Sequence, residues 1–378
     1  MPTRGQGSTG LEAVGSVAVR TFAAHQSQRS PKTALSAHQS MDGHHVNAMA
    51  GDGSGAPHNH FADYDELPDG HFYDPDAEYE PDPEYAATLA PDAARQRRER
   101  IGPTGRPLPY FPIPGPLTNH GPATIIAMCN QKGGVGKTTS TINLGAALAE
   151  YGRRVLLVDF DPQGALSVGL GVNPMELDLT VYNLLMERGM SADEVLLKTA
   201  VPNMDLLPSN IDLSAAEVQL VSEVARESTL QRALKPLMDD YDYIVIDCQP
   251  SLGLLTVNAL TAAHKVIVPL ECEFFALRGV ALLTETIEKV QERLNPELEL
   301  DGILATMYDS RTVHSREVLA RVVEAFDDHV YHTVIGRTVR FPETTVAGEP
   351  ITTYASNSVG AAAYRQLARE VLARCHAE

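Results

Sequence analysis

The chain has 378 residues, 43% hydrophobic and 21% charged, with a formal net charge of −19 and four cysteines. This length suits two units of ordinary size, and the acidic balance argues against a general nucleic-acid coat while leaving room for a small local basic patch. Cys129, Cys248, Cys272 and Cys375 form no CxxC pair and have no metal-like spacing, so reduced thiols in a cytoplasmic protein are expected.

No apolar run approaches the roughly 18–20 residues of a membrane span. The first residues contain no apolar core of a secretory leader, so none is expected. Residues 1–120 carry 9 Lys/Arg and 15 Asp/Glu, a net −6, and the remainder carries 21 and 34, a net −13. The first 120 residues are rich in His, Pro, Ser, Gly and acidic side chains. They read as a disordered arm and linker ahead of one α/β domain, 121–378. Within the arm, Phe61–Ala86 is acidic and dotted with tyrosines, Arg95–Arg100 is basic, and Ile101–Ala123 is too Pro-rich for a helix or a central strand. A minor reading makes the arm a peptide that docks through its Tyr and Phe residues.

From Ala123 onward, short apolar runs alternate with helical patterns. "ATIIAMCN" reads as a buried strand. "GKTTSTINLGAALAEYG" follows as a helix, with Ile142, Leu144, Ala147 and Leu148 on one side and Gly152 as its stop. "RRVLLVDFD", "MDLLPS", "YDYIVID", "HKVIVPLE" and "GILATMYD" repeat the strand type. Helices are expected over Leu213–Met238 (as two), Leu254–Ala263, Ala276–Leu294 and Ser315–Ala325. The alternation predicts a doubly wound, mostly parallel sheet with helices on both faces, and places any ligand at the carboxyl ends of its strands.

Those strand ends carry the chemistry. "CNQKGGVGKTTS" follows the first strand and departs from G-x-x-x-x-G-K-[ST], because Gln131 stands where the first glycine belongs and a second lysine, Lys132, sits beside it. Gly133, Gly134, Val135 and Gly136 let backbone N–H groups approach phosphate, at the positive end of the next helix. Lys137 is placed for the β- and γ-phosphates, Thr138 for Mg2+ and Thr139 beside it. "VDFDPQG" puts Asp159 and Asp161 at the second strand's end, where one can hold water on Mg2+ and the other can orient an attacking water. "YDYIVID" ends in Asp247, the carboxylate expected to hold Mg2+ directly or through water.

Together "CNQKGGVGKTT", "VLLVDFDPQG", "YDYIVIDCQPSLGLLTVNAL", "VPLECEFFALRG", "GILATMYDSRT" and "VRFPETTVAGEPITTYASNSVGAAAYRQLARE" resemble the ParA/Soj family of deviant Walker A P-loop ATPases, in the larger group with MinD. The likeness runs collinearly over about 123–376 and looks most like actinobacterial ParA-like proteins.

The resemblance implies ATP and Mg2+ as cofactors and a homodimer sandwiching ATP, in which Lys132 crosses to the partner's phosphates. It implies Asp161 as the residue positioning the hydrolytic water, Thr138 and Asp247 at Mg2+, and Asp159 nearby. Hydrolysis is expected to be slow until a ParB-type partner stimulates it, and DNA is bound non-specifically at the nucleoid. Arg311 and Arg337 match arginines used on DNA, with Arg316 and Arg340 as neighbours, and Met307 and Thr338 are expected near the adenine. The chain reads "IGRTV" where the family often has "IPRNV", and "CQPS" for "CPPS".

A MinD-like membrane-cycling ATPase is the alternative, and it needs an amphipathic C-terminal membrane helix. The tail "AAAYRQLAREVLARCHAE" reads instead as a final helix packed on the core, so no membrane partner is expected. An electron-transfer ATPase would need a cluster shared by paired cysteines, and Cys129 and Cys248 read as structural thiols instead.

Overall fold

The computed structural model describes residues 100–273 and 276–375. One seven-stranded sheet spans them: β1 (Thr124–Met128), β2 (Val155–Phe160), β3 (Leu197–Lys198), β4 (Met204–Leu207), β5 (Tyr243–Cys248), β6 (Lys265–Glu271) and β7 (Glu299–Thr306), in the spatial order β3-β4-β2-β5-β1-β6-β7. All pairs are parallel except β3 against β4 at one edge. All six strands read from the sequence are present. The two-residue β3 was missed because so short a run shows no period.

Both faces are covered, and the alternation within each strand sorts side chains between two cores. Ile125, Ala127 and Cys129 join Leu156, Val158, Phe160, Ile244 and Ile246 on one face. Ile126 and Met128 join Val155, Leu157, Tyr243 and Val245 on the other. Among the longer helices, α1 (Lys137–Glu150) and α6 (Val359–Cys375) cover the second face. The first face takes α2 (Leu254–Ala262), α3 (Ala276–Arg293) and α4 (Val313–Phe326). α5 (Arg340–Ala347) precedes α6.

α1 is buried nearly all round, not on one side only, because α6 packs over it. At its middle a Cβ on Gly145 would lie 2.6 Å from Leu157 Cδ2, so only glycine lets the helix approach the sheet this closely. The two helices expected over 213–238 are two short helices, Leu213–Gln219 and Thr229–Leu234, joined and followed by 3-10 turns. Ser315–Ala325 widens to α4, whose start is capped by Thr312 Oγ1 accepting from Ser315 N at 3.3 Å.

The expected arm divides. Residues 1–99, with the Tyr-dotted stretch, lie outside the described residues. Residues 100–120 differ from a free linker: they are docked on the domain without forming a helix or strand, apart from a single antiparallel bridge between Ile101 and Pro107. The guanidinium of Arg106 donates to the carbonyls of Asp327 (2.8 Å) and Val330 (2.5 Å), and Arg153 Nη1 donates to Gly115 O at 2.8 Å. Asp242 closes the strap by accepting from His120 Nδ1 (2.8 Å), Gly121 N (3.0 Å) and Arg154 N (2.7 Å). The sequence gives little warning of this, since Pro-rich backbone anchors through single hydrogen bonds with no period.

Candidate functional site

The loop after β1 is held from below. Asn130 Nδ2 donates to Pro269 O (2.7 Å) and its Oδ1 accepts from Lys132 N (2.9 Å), while Thr306 Oγ1 donates to Val135 O (2.8 Å). Neighbouring strands β6 and β7 thus fix the loop through buried Asn130, Val135 and Thr306. Gly134 (φ 76°) and Gly136 (φ 84°) lie in the left-handed region that glycine adopts without strain, and Gly136 opens α1 as its N-cap. Gly133 and Gly134 are exposed at the carboxyl end of β1.

Lys137 is buried, and its Nζ donates to Lys132 O at 3.1 Å across the loop. Thr138 Oγ1 donates to Asp247 Oδ2 at 2.6 Å. Thr139 is half-buried, and its carbonyl accepts from Asn143 Nδ2 at 2.7 Å.

Asp159 and Asp247 are register partners on neighbouring strands β2 and β5, and both are buried. Asp159 Oδ2 accepts from Ser167 N (2.8 Å) and Ser167 Oγ (2.7 Å), and its Oδ1 accepts from Asp161 N at 3.4 Å. Burial pushes Asp159 up to about 7 against the bonds from Ser167. Burial, then the charge of Asp159, pushes Asp247 up to about 8, although Thr138 and Lys137 act in the opposite direction. Asp161 is half-buried and its Oδ1 accepts from Gln163 N at 3.0 Å. Two adjacent buried carboxylates beside a threonine hydroxyl and a ring of backbone amides fit a divalent cation carrying a polyphosphate. Asp159 already accepts from three donors of its own chain, so it suits a metal-bound water better than direct ligation.

Lys132 is the second lysine at the loop mouth. Its side chain is 43% exposed, and Nζ lies 3.0 Å from Glu271 Oε2 and 2.5 Å from Glu273 Oε2. Burial lowers its pKa, but the bonds it donates to Glu273 and Glu271 outweigh that and leave it raised. Sequence reasoning missed these two glutamates, although "VPLECE" was in view. The signal was the strand-end rule, since Glu271 is the last residue of β6. It also missed Ser167 and Asn130, which work only through backbone proximity. Gln249, the departure in "CQPS", donates from Nε2 to Glu217 Oε1 at 3.1 Å.

The residues expected on DNA gather around the end of β7. Arg311 grips Asp309 with two 3.0 Å bonds and is 82% exposed. Arg337 N donates to Tyr308 O (3.1 Å), which fixes 336–338 beside the strand end, and its guanidinium lies 3.3 Å from Glu271 Oε1. Arg340 pairs with Glu343 at 3.1 Å, and Arg316 is exposed on α4. Met307 (φ 50°) and Thr338 are half-buried on the same side of the site, Met307 at the end of β7 and Thr338 in the adjoining turn. Cys129 and Cys248 are both buried, and Cys248 is raised by its bond to Cys129 and by burial.

A family model described as an AAA domain matches residues 123–300. The chain is 69% identical over 274 residues, 72% of its length and 86% of the relative's, to an uncharacterized protein of Mycobacterium tuberculosis. It is 48% identical over 249 residues, 66% of its length and 98% of the relative's, to the sporulation initiation inhibitor protein Soj of Bacillus subtilis. A solved structure, cobyrinic acid a,c-diamide synthase from Mycobacterium smegmatis with bound ADP and magnesium, matches with TM-score 0.59 and 46% identity, covering 66% of this chain and 94% of that one. The ADP and magnesium of that structure, and the ATP analogue and magnesium of a second structure of the same protein, are in keeping with the donor set at this chain's strand ends. With the phosphate loop, the paired carboxylates and these relatives in agreement, the chain belongs to the ParA/Soj family of chromosome-partitioning ATPases.

Proposed function

We propose that this chain is a partitioning ATPase that closes into an ATP-sandwich homodimer, holds DNA non-specifically and hydrolyses ATP when a ParB-type protein stimulates it, in the cytoplasm at the nucleoid. The observation that carries this reading is Lys132. A second ammonium at the mouth of a phosphate loop, held on Glu271 and Glu273 rather than buried behind the loop as Lys137 is, can exchange those carboxylates for another protomer's phosphates. On this reading dimerisation needs the triphosphate because Lys132 leaves two carboxylates only for a stronger anion.

Bound Mg2+ supplies charge neutralisation at the β- and γ-phosphates. The chain's own residues do the rest. Lys137 and the amides of residues 133–138 hold the phosphates, and Thr138 with Asp247 holds the metal. Asp161 orients the attacking water from its half-buried place beside Asp159. A slow cycle awaiting a stimulator follows from the family resemblance, with Asp161 alone orienting the water. The arginines around β7 would carry DNA by phosphate contact. The ATPase domain is 121–378, and the Tyr-dotted arm would serve a partner of its own.

A MinD-like membrane cycle is disfavoured by α6. Tyr364, Leu367, Ala368, Val371 and Leu372 on that helix are all buried in the domain, so its apolar side is not available to a lipid surface. No described helix is long and apolar enough to cross a membrane. The deciding experiment is DNA co-sedimentation with ATP, ADP and no nucleotide, beside a liposome arm. DNA retention only with ATP is expected. Liposome retention, or DNA binding indifferent to nucleotide, would reverse the reading.

A further inference from the structure

The strand order sets three chain segments side by side: the loop after β1, the end of β6 and the turn after β7. Glu271, last in β6, lies between the other two. Its carboxylate is only 14% exposed, and it gives one oxygen to each neighbour: Oε2 to Lys132 Nζ at 3.0 Å and Oε1 to Arg337 Nη2 at 3.3 Å. Glu273 pairs closely with Lys132 only, and at 55% exposure that pair contributes little, while Asp309 grips Arg311. Among the described residues, Glu271 is the carboxylate in close ion pairs with both the cation expected on a partner's nucleotide and a cation expected on DNA.

We propose that Glu271 is an internal counter-ion that competes with phosphate for both Lys132 and Arg337, and so holds the protein's affinity for polyanions below what its cations could supply. This rests on the partitioning reading above and adds a regulatory residue to it. A carboxylate presents Lys and Arg with the same kind of oxygen acceptors as a phosphate, and it is always at hand. A phosphate must therefore displace it, and any Arg337–phosphate contact leaves Glu271 with less compensation beside a polyanion. Glu271 acts through the two cations, as a positioning residue, and its removal should strengthen binding, which is the reverse of losing a contact.

The test uses the full chain carrying Glu271→Gln, compared with the parent, Arg337→Gln and the double variant, on a duplex of arbitrary sequence with a non-hydrolysable ATP analogue at several salt concentrations. Glu271→Gln should bind more tightly, and the slope of log K against log salt should steepen by up to about 0.9, the value for one added phosphate contact. The ratio of variant to parent affinity then changes about threefold between 50 and 200 mM salt. The steeper slope should vanish when Arg337→Gln is also present, leaving only the part of the gain that runs through Lys132. Affinity and slope equal to the parent's, or a steeper slope that survives in the double variant, would overturn the proposal. Should Glu271→Gln not fold, Glu271→Asp, which withdraws the carboxylate by one methylene, should show a smaller change of the same sign, and no change would count against it.

Should the parent hold no DNA in any nucleotide state, the partitioning reading fails by itself. Glu271 is then read separately, from the rate at which Lys132 is acylated relative to exposed Lys289 in the same digest. That relative rate should rise in Glu271→Gln, and an unchanged rate would refute the counter-ion role.

Discussion

Asp247→Asn should make the nucleotide-free protein more stable while removing its response to magnesium. Asp159 and Asp247 end neighbouring strands, which run about 4.8 Å apart. Two unit charges at that spacing repel by about 3 kcal/mol at an effective dielectric near 20. Asn keeps an oxygen for Thr138 Oγ1, now at 2.6 Å, and gives up the 3.5 Å contact from Thr141, a loss of about 1 kcal/mol. The net gain is about 2 kcal/mol, or a rise in Tm of roughly 4–8 °C for a domain of this size.

The pH dependence follows from the raised carboxylates. The folded state holds protons that the unfolded state has released, so the parent loses stability as pH climbs from about 4 through the folded values near 7 and 8. The stabilisation in the variant is therefore fullest at pH 8.5 and disappears near pH 4. The assay is thermal unfolding at pH 8.5 with and without Mg-ATP. The parent should gain about 2.7 kcal/mol at a ligand concentration 100 times Kd. The magnesium-dependent part of that gain should be missing from Asp247→Asn. A variant less stable than the parent without nucleotide, or one with an intact magnesium response, refutes the reasoning.

Lys137→Ala removes the buried ammonium behind the loop and should weaken ATP binding by roughly 100-fold or more, a loss of about 3 kcal/mol; calorimetry showing parental affinity would move the site elsewhere. Asp161→Ala should keep ATP binding while turnover falls by about 10²–10⁴, measured by phosphate release under saturating ATP. Asp242→Ala strands the amides of Gly121 and Arg154 and frees His120, so it should cost about 3 kcal/mol and detach the strap, read as a lower Tm and faster amide exchange over residues 115–121. Arg311→Glu with Arg337→Glu should weaken DNA binding and flatten its salt slope equally on two unrelated duplexes, with DNA-free turnover retained.

What could be read before the fold was known follows from how each feature is encoded. The strands and α1 were legible because apolar runs of four to eight residues bounded by turn residues have few other uses. Lys137, Thr138 and Asp247 were legible because a strand end fixes where a side chain goes, and Thr138 does donate to Asp247 across 109 positions of sequence. The pairing of Asp159 with Ser167 was not, because it needs the short helix Ala165–Gly169 to turn a backbone amide back onto β2. The strap was unreadable for the opposite reason: its anchors, Arg106 and Arg153, donate to carbonyls, which every residue has. The bridge from Lys132 through Glu271 to Arg337 lies between those cases. Each residue stands at a predicted strand end or beside one, but that β6 lies between β1 and β7 is a property of the strand order.

On the proposed reading, that order bears on how an acidic domain would hold an acidic polymer. With a net −13 over residues 121–378, long-range attraction to DNA is absent and retention must come from contacts. The arginines around β7 each offer at most one phosphate contact, and three of them are already paired with carboxylates of their own chain. Counting only the three paired arginines, three contacts on one protomer give a slope of about −2.7 in log salt, and six on a two-fold pair give about −5.4. Between 50 and 200 mM salt those slopes reduce affinity by roughly 40-fold and 1,800-fold, so the pair gains far more than the single protomer as salt falls. DNA binding conditional on ATP then needs no movement of the arginines. On that reading it would be enough for Lys132 to give up Glu271 and Glu273 for a partner's phosphates, because a closed pair would double the number of contacts that act at once.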